Sequence, residues 1–502
     1  MAVRINFNEG AAQTHTSLLR NERALNKSLL RLSTGNRILN AADDSAGLFI
    51  ADMLGTVAKG YEQGNRNIQT GISALQIAEA SAGQIFDKLQ EIYIRAQNAA
   101  NDINDPTARS ALQQEIRNFV DAIQKIGADT EYNGIKLLDG TFKDKYIHYG
   151  ARLEQTVYLS VDDVRAQSLG AHMVKTSGYK GQAASFTGLT DVVSASNQTI
   201  TIGGRVIDAT IKNGNDYILD AGYIAKQVNE KLNDVGFKAK AINVSVGEKY
   251  TGIADVSGTA TIAFKVGDVS FNFDAETTVS LDELVEKINR AAATAGADLT
   301  ASTDAGRLVL TSSKGYTIGV EISLASGSGT ININQIINDL EGASSGSVTA
   351  ITNSSTAAAV KVGDLYIAND KEFEMNIDTN IAGKLGDFEI GSAGGSQFKN
   401  LYSIDVTSNE GAEASMLIAE IALRKVDTIR AQIGATMNNL QSIFDSQKVA
   451  YDNTKEAESV IRNTDYAKEM AEFTTYQIRM QATIAMLAQA NTQPQLVLQL
   501  LR

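Results

Sequence analysis

The chain has 502 residues, a formal net charge of −13 and no cysteine. Its acidic balance argues against nucleic acid and anionic membrane surfaces as partners, because both bind clustered lysine and arginine. The lack of cysteine excludes disulfides, thiolate zinc sites and cysteine nucleophiles. Only two prolines occur, where average usage gives roughly 25. This scarcity favours long helices, since proline interrupts a helix interior, and the length predicts about three domains.

The N-terminal segment carries leucines at the spacing of a coiled coil. Leu18, Leu25, Leu32 and Leu39 recur every seven residues, and Leu29 adds a second stripe position. This spacing predicts a helix with one apolar face that packs on another helix. The segment lacks the apolar core and cleavage site of a secretory signal. We also expect no membrane-spanning helix, because the chain has no sufficiently long apolar run.

Three further features precede the middle of the chain. An apolar stripe over Val57–Ala100 predicts one helix, which would be about 66 Å long at the α-helical rise per residue. The turn signal "DINDP" at Asp102–Pro106 ends it. A second stripe, from Leu112 to Ile126, predicts a shorter helix. In "DTEYNGIKLLDG", Asn133-Gly134 predicts a tight turn between short extended pieces.

The middle of the chain, from about Lys175 to Ile404, has the alternating pattern and the glycine, serine and threonine content of a β-rich region. It contains an internal repeat, in which "YIAKQVNEKLNDVGFKAKA" resembles "LDELVEKINRAAATAGADLTA". Four residue pairs match at a constant offset of 60, namely Ile202 with Ile262, Ile224 with Leu284, Val228 with Ile288, and Asn229 with Asn289. Two related α+β units, at about 197–245 and 257–325, are therefore predicted.

The C-terminal part returns to helical spacing. A stripe from Val426 to Ile443 predicts a long helix over about Glu413–Val460. Beyond it, alternating steps of three and four residues trace a second coiled-coil seam. Its large apolar members are Met470, Phe473, Met480, Ile484, Leu487, Leu498 and Leu501. The polar Gln477 and Asn491 occupy two positions of the seam, which favours partner choice over maximum stability.

The order of these elements predicts the fold class. The chain reads as helix, helix, β-rich insert, helix, helix, and the simplest folding of that order brings the two terminal seams together. A terminal helix is marginal in water by itself, whereas a helix paired with the other terminus buries its stripe. We therefore predict a chain that is mainly α at both termini, with a central α+β, β-rich insertion.

Long motifs at both ends resemble those of bacterial flagellins. Within "LNKSLLRLSTGNRILNAADDSAGLFIADML", the segments Leu32–Gly35, Arg37–Ile38 and Asp43–Leu48 match the family's N-terminal signature. "EYNGIKLLDG" resembles a turn of the family, and the final "LAQANTQPQLVLQLLR" resembles its C-terminal signature. The resemblance covers about residues 1–167 and 411–502. The middle units resemble short β-rich modules found inside some flagellins.

The resemblance implies an organisation in three parts. Residues 1–44 with 457–502 would form an inner coiled-coil domain. Residues 45–174 with 405–456 would form a helical rod domain of long antiparallel helices with a β-hairpin at about Thr130–Tyr158. Residues 175–404 would form an outer variable insertion that contains the two related α+β units.

The resemblance also implies a function. The chain would be a structural subunit that self-assembles into the extracellular flagellar filament for swimming motility, after export unfolded through the flagellar channel. Its partners would be further copies of itself, an export chaperone, and the cap and hook-junction proteins. The twelve apolar residues of the two terminal seams named above, from Leu18 to Leu501, would make the subunit contacts. A hook–filament junction protein, or a flagellin whose insert also acts as an adhesin, is the alternative.

No pattern indicates an enzyme, a cofactor or a metal site. The three histidines lie far apart, and none belongs to an H-E-x-x-H motif. Asp43-Asp44 is interpreted as a helix break in which one carboxylate caps the helix that starts after Asp44, rather than as a catalytic pair. An enzymatic activity in the insert is a rival hypothesis, and no metal or nucleophile motif supports it.

One segment bears on recognition by animal hosts. Flagellins that the animal flagellin receptor senses carry Leu-Gln-Arg-Val-Arg-Glu-Leu-Ala, where the resemblance places Leu89–Ala96 of this chain. Glu91 replaces an arginine and Arg95 replaces a leucine, whereas Glu115 keeps the family's glutamate. A reversed charge and a new charge at a contact surface should each lower affinity. The contact region, comprising Leu89, Gln90, Glu91, Arg95 and Glu115, is therefore predicted not to activate the receptor.

Overall fold

A computed structural model describes most of the chain and places it in two compact units. The described residues are 8–101, 104–190, 192–194, 196–255, 257–325, 329–338, 341–342, 351–354, 356–377, 385 and 395–500. Unit 1 contains the described residues up to Gln76, Asp144–Ser160, and those from Gly434 onward. Unit 2 contains the described residues of Ile77–Lys143 and Val161–Ile433. The division into three domains is not tested by these units and stays a prediction.

Seven α-helices occur in the described residues, and the longest lie towards the two ends of the chain. They are α1 Glu9–Thr34, α2 Ser45–Ala99, α3 Pro106–Asp129, α4 Ala221–Lys231, α5 Leu281–Ala295, α6 Asn409–Arg462 and α7 Tyr466–Leu500. The long helix α2 begins earlier than its apolar stripe indicated, because the Asp44 carboxylate accepts a hydrogen bond from the Gly47 amide at 2.8 Å and caps the first turn. Pro106 stands at the start of α3, where no intrahelical donor is required.

All strands in the described residues lie between α3 and α6. They are β1 Glu131–Tyr132, β2 Ile135–Lys136, β3 Lys145–His148, β4 Thr156–Leu159, β5 Gly170–Lys175, β6 Lys180–Ala183, β7 Val193–Ser194, β8 Thr199–Ile202, β9 Arg205–Asp208, β10 Thr210–Asn213, β11 Asp216–Leu219, β12 Lys238–Lys249, β13 Thr259–Val266, β14 Val269–Glu276, β15 Thr300–Asp304, β16 Arg307–Ser312, β17 Ile318–Leu324, β18 Gly329–Ile331, β19 Glu341–Gly342, β20 Ile351–Ser354, β21 Thr356–Lys361, β22 Asp364–Asn369, β23 Met375–Ile377 and β24 Gln397–Asn400.

Two six-stranded sheets form the centre of unit 2. Their strand orders are β15-β16-β12-β22-β5-β24 and β14-β13-β17-β21-β6-β19. Neighbours are antiparallel except for β19 and β6. Strand β13 shows why these residues form a sheet, because Ala260, Ile262, Phe264 and Val266 alternate with partly exposed residues and enter the core. Unit 2 also holds smaller sheets, ordered β10-β11-β7 and β23-β8-β9.

The two repeated segments make the same side-chain contacts. The Asn229 amide donates to the Ala239 carbonyl at 2.7 Å and accepts from the Ala239 amide at 2.9 Å. The Asn289 amide does the same at Ala301, with distances of 2.9 and 2.7 Å. Each asparagine therefore pairs with one strand residue as a neighbouring strand would. The six matched apolar residues are fully buried or nearly so, namely Ile202, Ile262, Ile224, Leu284, Val228 and Ile288.

Candidate functional site

The two ends of the chain meet within unit 1, where α1 and α7 pack antiparallel. The Asn8 amide donates to the Ala490 carbonyl at 2.8 Å near one end of the pair. Near the other end, the Ser28 hydroxyl donates to the Glu469 carbonyl at 3.4 Å. The sequence predicted this pairing of the terminal helices, and the structure confirms it. Each terminal helix, which would be only marginally stable alone in water, therefore packs on the other.

One heptad position of each predicted seam lies on the packed side of this helix pair. Leu18, Leu25 and Leu32 are partly buried on the face of α1 that also carries Ser28, and Ser28 itself is only 2% exposed. On α7 the partly buried seam residues are Phe473, Met480 and Leu487. Ser28 is polar but small, so it allows close approach of the helices, a feature that a search for apolar residues misses.

The other seam position is exposed. Leu29 is 52% exposed, Met470 50% and Ile484 51%, so these side chains remain available outside the helix pair. Five further exposed residues of these two helices were not predicted, namely Leu19, Leu30, Tyr466, Ile478 and Met486. Leu39 lies in the segment after α1, where it is partly buried. The side chain of Leu498, and Leu501 as a whole, lie outside the described residues.

The connection from α1 to α2 is held by two acidic residues with different roles. The Lys27 ammonium lies 2.6 Å from one Asp43 carboxylate oxygen, and the Leu39 amide donates to the other at 3.1 Å. The hydrogen bond from Lys27 holds the pKa of Asp43 below its usual value. Asp44 caps α2, so the predicted helix break is confirmed. The contacts of Asp43 and Asp44 are thus with Lys27 and with backbone amides, and they hold the connection between the two helices.

The first turns of α2 carry an apolar cluster that the sequence analysis did not select. Phe49 is 67% exposed, and Ile50 and Met53 are close to half exposed. This part of α2 is fixed to α6 by an ion pair between Asp52 and Arg462. The signal was the run "GLFIADML" directly after the cap, in which apolar residues cover more of the helix than one core-facing stripe requires.

The β3–β4 hairpin packs on a row of glycines along α2. A Cβ at Gly64 would lie 1.7 Å from the Tyr149 carbonyl oxygen, and one at Gly60 would lie 2.7 Å from the Ala151 Cβ. Asn67 lies on α2 between Gly64 and the next glycine of the row, Gly71. Its amide donates a hydrogen bond to the His148 carbonyl at 2.8 Å. The hairpin therefore needs glycine at these positions because its backbone touches the helix.

The opposite side of this hairpin is apolar and exposed. Tyr146 and Tyr158 are about two-thirds exposed, and their rings meet edge to face with centroids 6.3 Å apart. Leu153, near the tip, is 90% exposed. Large apolar side chains displayed together in this way mark interaction surfaces.

The predicted receptor-contact residues lie in unit 2. The Arg95 guanidinium donates to the Glu115 carboxylate at 2.6 Å and lies 3.5 Å from that of Glu91. Three of the five residues thus form one ionic cluster on α2 and α3, with Gln90 exposed beside it. Leu89 is completely buried, so it supports this surface from below and is not available to a partner.

Two searches bear on other kinds of site. Among the described residues, no three histidine or acidic side chains are grouped so that they could hold a metal ion. In the same part of the chain, no helix has both the length and the apolar character needed to span a membrane.

Paired terminal helices, an inserted β-rich region and apolar side chains left exposed on the helices define a filament-forming structural protein. Three family models match the chain: the bacterial flagellin N-terminal helical region at residues 5–143, the bacterial flagellin C-terminal helical region at 416–501, and the flagellin hook IN motif at 261–314. The chain is 51% identical to a flagellin of Aquifex pyrophilus and 46% identical to one of Aquifex aeolicus, each over the whole of both chains. A B-type flagellin of Pseudomonas aeruginosa is 30% identical, also over the whole of both chains.

The chain belongs to the flagellin family. It is a structural subunit of the extracellular bacterial flagellar filament, which serves motility. The resemblance, the fold class, the function and the location expected from the sequence are confirmed. Flagellins are structural proteins that self-assemble, which agrees with the exposed apolar side chains of unit 1.

Proposed function

We propose that unit 1 is the polymerising part of the chain and that its exposed apolar side chains become buried against neighbouring copies. The observation that carries this proposal is the exposure of large apolar residues on α1, α2, α7 and the β3–β4 hairpin. Burying one such side chain completely is worth about 1.5–3 kcal/mol. A half-exposed side chain gains about half of this, so many of them must be buried together to offset the roughly 4–15 kcal/mol that a subunit loses on docking.

The seam residues would then divide into two groups. Leu18, Leu25, Leu32, Phe473, Met480 and Leu487 hold the helix pair together. Leu29, Met470 and Ile484 contact the next subunit, and the same role is proposed for Leu498 and Leu501. Contacts between different surfaces of successive copies build an open helical filament when the rotation from copy to copy does not close a ring.

Seeded polymerisation tests this division. Ile484→Glu places a charge at a half-exposed position of α7, and Val206→Glu places one at a position of unit 2 that is 62% exposed. We expect both variants to keep the far-ultraviolet circular dichroism of the natural chain. Ile484→Glu should raise the critical concentration for elongation at least tenfold, and Val206→Glu should leave it unchanged. Normal elongation of Ile484→Glu would contradict the proposal.

The finer roles follow the family. We propose that residues 1–44 with 457–502 form the inner part of the subunit, residues 45–174 with 405–456 the rod, and residues 175–404 the outer part. Export unfolded through the flagellar channel would involve a chaperone, and assembly would involve the cap and hook-junction proteins. We infer that the chain is not an enzyme, because the family is structural. The full-length likeness to flagellins favours a filament subunit over a hook–filament junction protein.

The receptor-contact region is proposed to be non-activating. Arg95 is engaged by Glu115 at 2.6 Å and by Glu91 at 3.5 Å, so a partner would have to break these ion pairs to reach the helix surface. In a reporter-cell assay with the monomer, we expect a weak signal from the natural chain. The double variant Glu91→Arg with Arg95→Leu should give a stronger one. A strong signal from the natural chain at low dose would refute the proposal.

A further inference from the structure

The tip of the β3–β4 hairpin, residues Arg152–Glu154, carries the most exposed large apolar side chain in the described part of the chain. This side chain is Leu153, which is 90% exposed. The charged residues on either side of it, Arg152 and Glu154, are exposed as well. Among the described residues, neither of these two charges has an ion-pair partner. The hairpin tip therefore presents one leucine between one free cation and one free anion.

Hydrogen bonds hold the hairpin tip in one conformation. The Tyr149 amide donates to the Gln155 carbonyl at 3.0 Å, and the Arg152 amide donates to the Gln155 side-chain oxygen, also at 3.0 Å. The base of the tip rests on α2, where a Cβ at Gly60 would lie 2.7 Å from that of Ala151. A surface that is already ordered in this way loses little conformational entropy when it binds a partner.

An open groove lies between α2 and α6 in the same unit. Its volume is about 340 Å³, and its apolar lining is the partly buried rings of Phe444 and Tyr451. An apolar cavity of about 150 Å³ holds the six carbons of benzene, so the groove has room for the four-carbon side chain of a leucine. The other residues that line this α2–α6 groove are polar, namely Glu62, Asn65, Arg66, Gln69, Lys448 and Asp452.

Two charges of the α2–α6 groove are free for a partner. Glu62 and Arg66 pair with each other at 2.7 Å. Lys448 and Asp452 are exposed and lie about one helical turn apart on α6. In the part of the chain that the structure describes, neither of them has an ion-pair partner. The groove thus offers one free cation and one free anion beside two aromatic rings.

The hairpin and the groove residues of α2 lie on opposite faces of that helix. The three glycines that the hairpin touches, Gly60, Gly64 and Gly71, fall within about 40° of one another around the helix. The four groove residues of α2 are centred about 170° from these glycines. Leu153 is 90% exposed, so it does not fill the groove of its own copy.

We propose that the hairpin tip of one copy docks in the α2–α6 groove of the next copy. The inference rests on the proposed polymerisation, and it names the two surfaces that meet at one of its contacts. Leu153 of the first copy covers the exposed parts of the Phe444 and Tyr451 rings of the second. The most exposed leucine of unit 1 and a partly open aromatic groove are thereby removed from water together.

Complementary charges identify a second copy as the occupant of the groove. In this docking Arg152 pairs with Asp452 and Glu154 pairs with Lys448, so all four free charges gain a partner. An apolar occupant would leave both charges of the groove unpaired. The contact joins different surfaces, so each copy keeps one tip and one groove for further copies, as an open helical assembly requires.

Exchanging the charges of one proposed pair tests the docking. Arg152→Glu and Asp452→Arg each bring like charges together, and each should raise the critical concentration for seeded elongation roughly tenfold. The double variant Arg152→Glu with Asp452→Arg restores an opposite pair between copies, so its critical concentration should return to within about threefold of the natural value. Asp304→Arg reverses a charge at an exposed position of unit 2 and should leave elongation unchanged.

Cross-linking tests the direction of the contact, because the natural chain contains no cysteine. Filaments of Glu154→Cys, of Lys448→Cys and of the double variant are confirmed by electron microscopy, treated with a short bis-maleimide and separated on a denaturing gel. A head-to-tail contact does not bring equivalent residues together, so the single variants should stay monomeric. The double variant should give a ladder of dimers, trimers and longer chains.

The outcomes separate this docking from the polymerisation on which it rests. Normal elongation of both single charge reversals would refute the docking and leave the polymerisation proposal standing, as would a double reversal that elongates no better than the single ones. Intact filaments of the double cysteine variant that give no ladder, or dimers from either single cysteine variant, would also refute it. Failure of the natural chain to elongate from seeds would overturn both proposals.

Discussion

Replacing Gly64 by alanine should loosen the β3–β4 hairpin from α2. The new Cβ would lie 1.7 Å from the Tyr149 carbonyl oxygen and 2.6 Å from its carbon. Both atoms belong to the backbone, so no side-chain rotation can relieve the clash, and the hairpin must move away from the helix. The movement also breaks the hydrogen bond from Asn67 to His148.

The size of the effect follows from three contributions. Overpacking costs about 1–3 kcal/mol, and the lost hydrogen bond costs about 1 kcal/mol. Alanine has a higher helix propensity than glycine and stabilises α2 by about 1 kcal/mol, which offsets part of this cost. Docking of the hairpin should therefore weaken by about 1–3 kcal/mol, which corresponds to hydrogen exchange roughly 5 to 150 times faster at the amides of β3 and β4.

Gly434→Ala on α6 is the matched control, because its Cβ would meet nothing within 4 Å. It should leave exchange in the hairpin unchanged and stabilise its own helix by about 1 kcal/mol. Hairpin amides that exchange equally slowly in Gly64→Ala and the natural chain would refute the close-contact reasoning. An equal loss of protection in Gly434→Ala would show that the effect is general. Because Tyr146 and Tyr158 belong to the proposed assembly surface, Gly64→Ala should also elongate more slowly from seeds.

Three further predictions concern the helix pair and the interior of unit 2. Leu25→Ala should weaken the pairing of α1 with α7 by about 1–2 kcal/mol, because its side chain is partly buried. Leu30→Ala, at a position that is 50% exposed, should change the monomer little and slow elongation, and equal melting shifts for the two variants would contradict this difference. Asn229→Ala and Asn289→Ala should each lower local stability by about 2 kcal/mol, because each removes two hydrogen bonds to a strand. Local hydrogen exchange at Ala239 and Ala301 measures this loss. Unchanged exchange at either strand would refute the view that these asparagines pair with the strand backbone. Burial raises the pKa of Asp220 to about 7, so the folded state holds its proton more tightly than the unfolded state. This carboxyl therefore contributes stability that is complete below about pH 4 and is lost as pH rises through about 7. Denaturant unfolding of the natural chain and Asp220→Asn at pH 4.5 and 7.5 should show the smaller pH-dependent loss in the variant, and equal losses would contradict the assignment.

Residue spacing predicted the helices at both ends but not the side on which each meets its partner. The alternating steps of three and four residues that traced the C-terminal seam combined two heptad positions of α7. One of them, that of Phe473 and Met480, is partly buried, and the other, that of Met470 and Ile484, is half exposed. The choice depends on how closely the helices approach, which is set partly by the small Ser28. A hydrophobic pattern does not contain that information.

The hairpin contact on α2 illustrates a second limit. Gly60, Gly64 and Gly71 fall on one side of the helix, and a search for small residues at helical spacing would have found them. The identity of their partner was not readable, because β3 lies more than seventy residues further along the chain. By contrast, the offset of 60 matched Asn229 with Asn289 directly from the sequence. Their partners, Ala239 and Ala301, are 62 residues apart, so the segment from the asparagine to its strand partner is longer in the second unit.

These two asparagines bear on how the inserted region could have grown. Each amide offers one donor and one acceptor to a strand, and so occupies the place where one more residue of a sheet would otherwise pair. A module whose own helix carries such an asparagine keeps this strand-capping group when its gene segment is duplicated. Duplication then adds a unit whose edge is already terminated at that point, and the insert can lengthen without also creating an open strand there for unrelated chains to join.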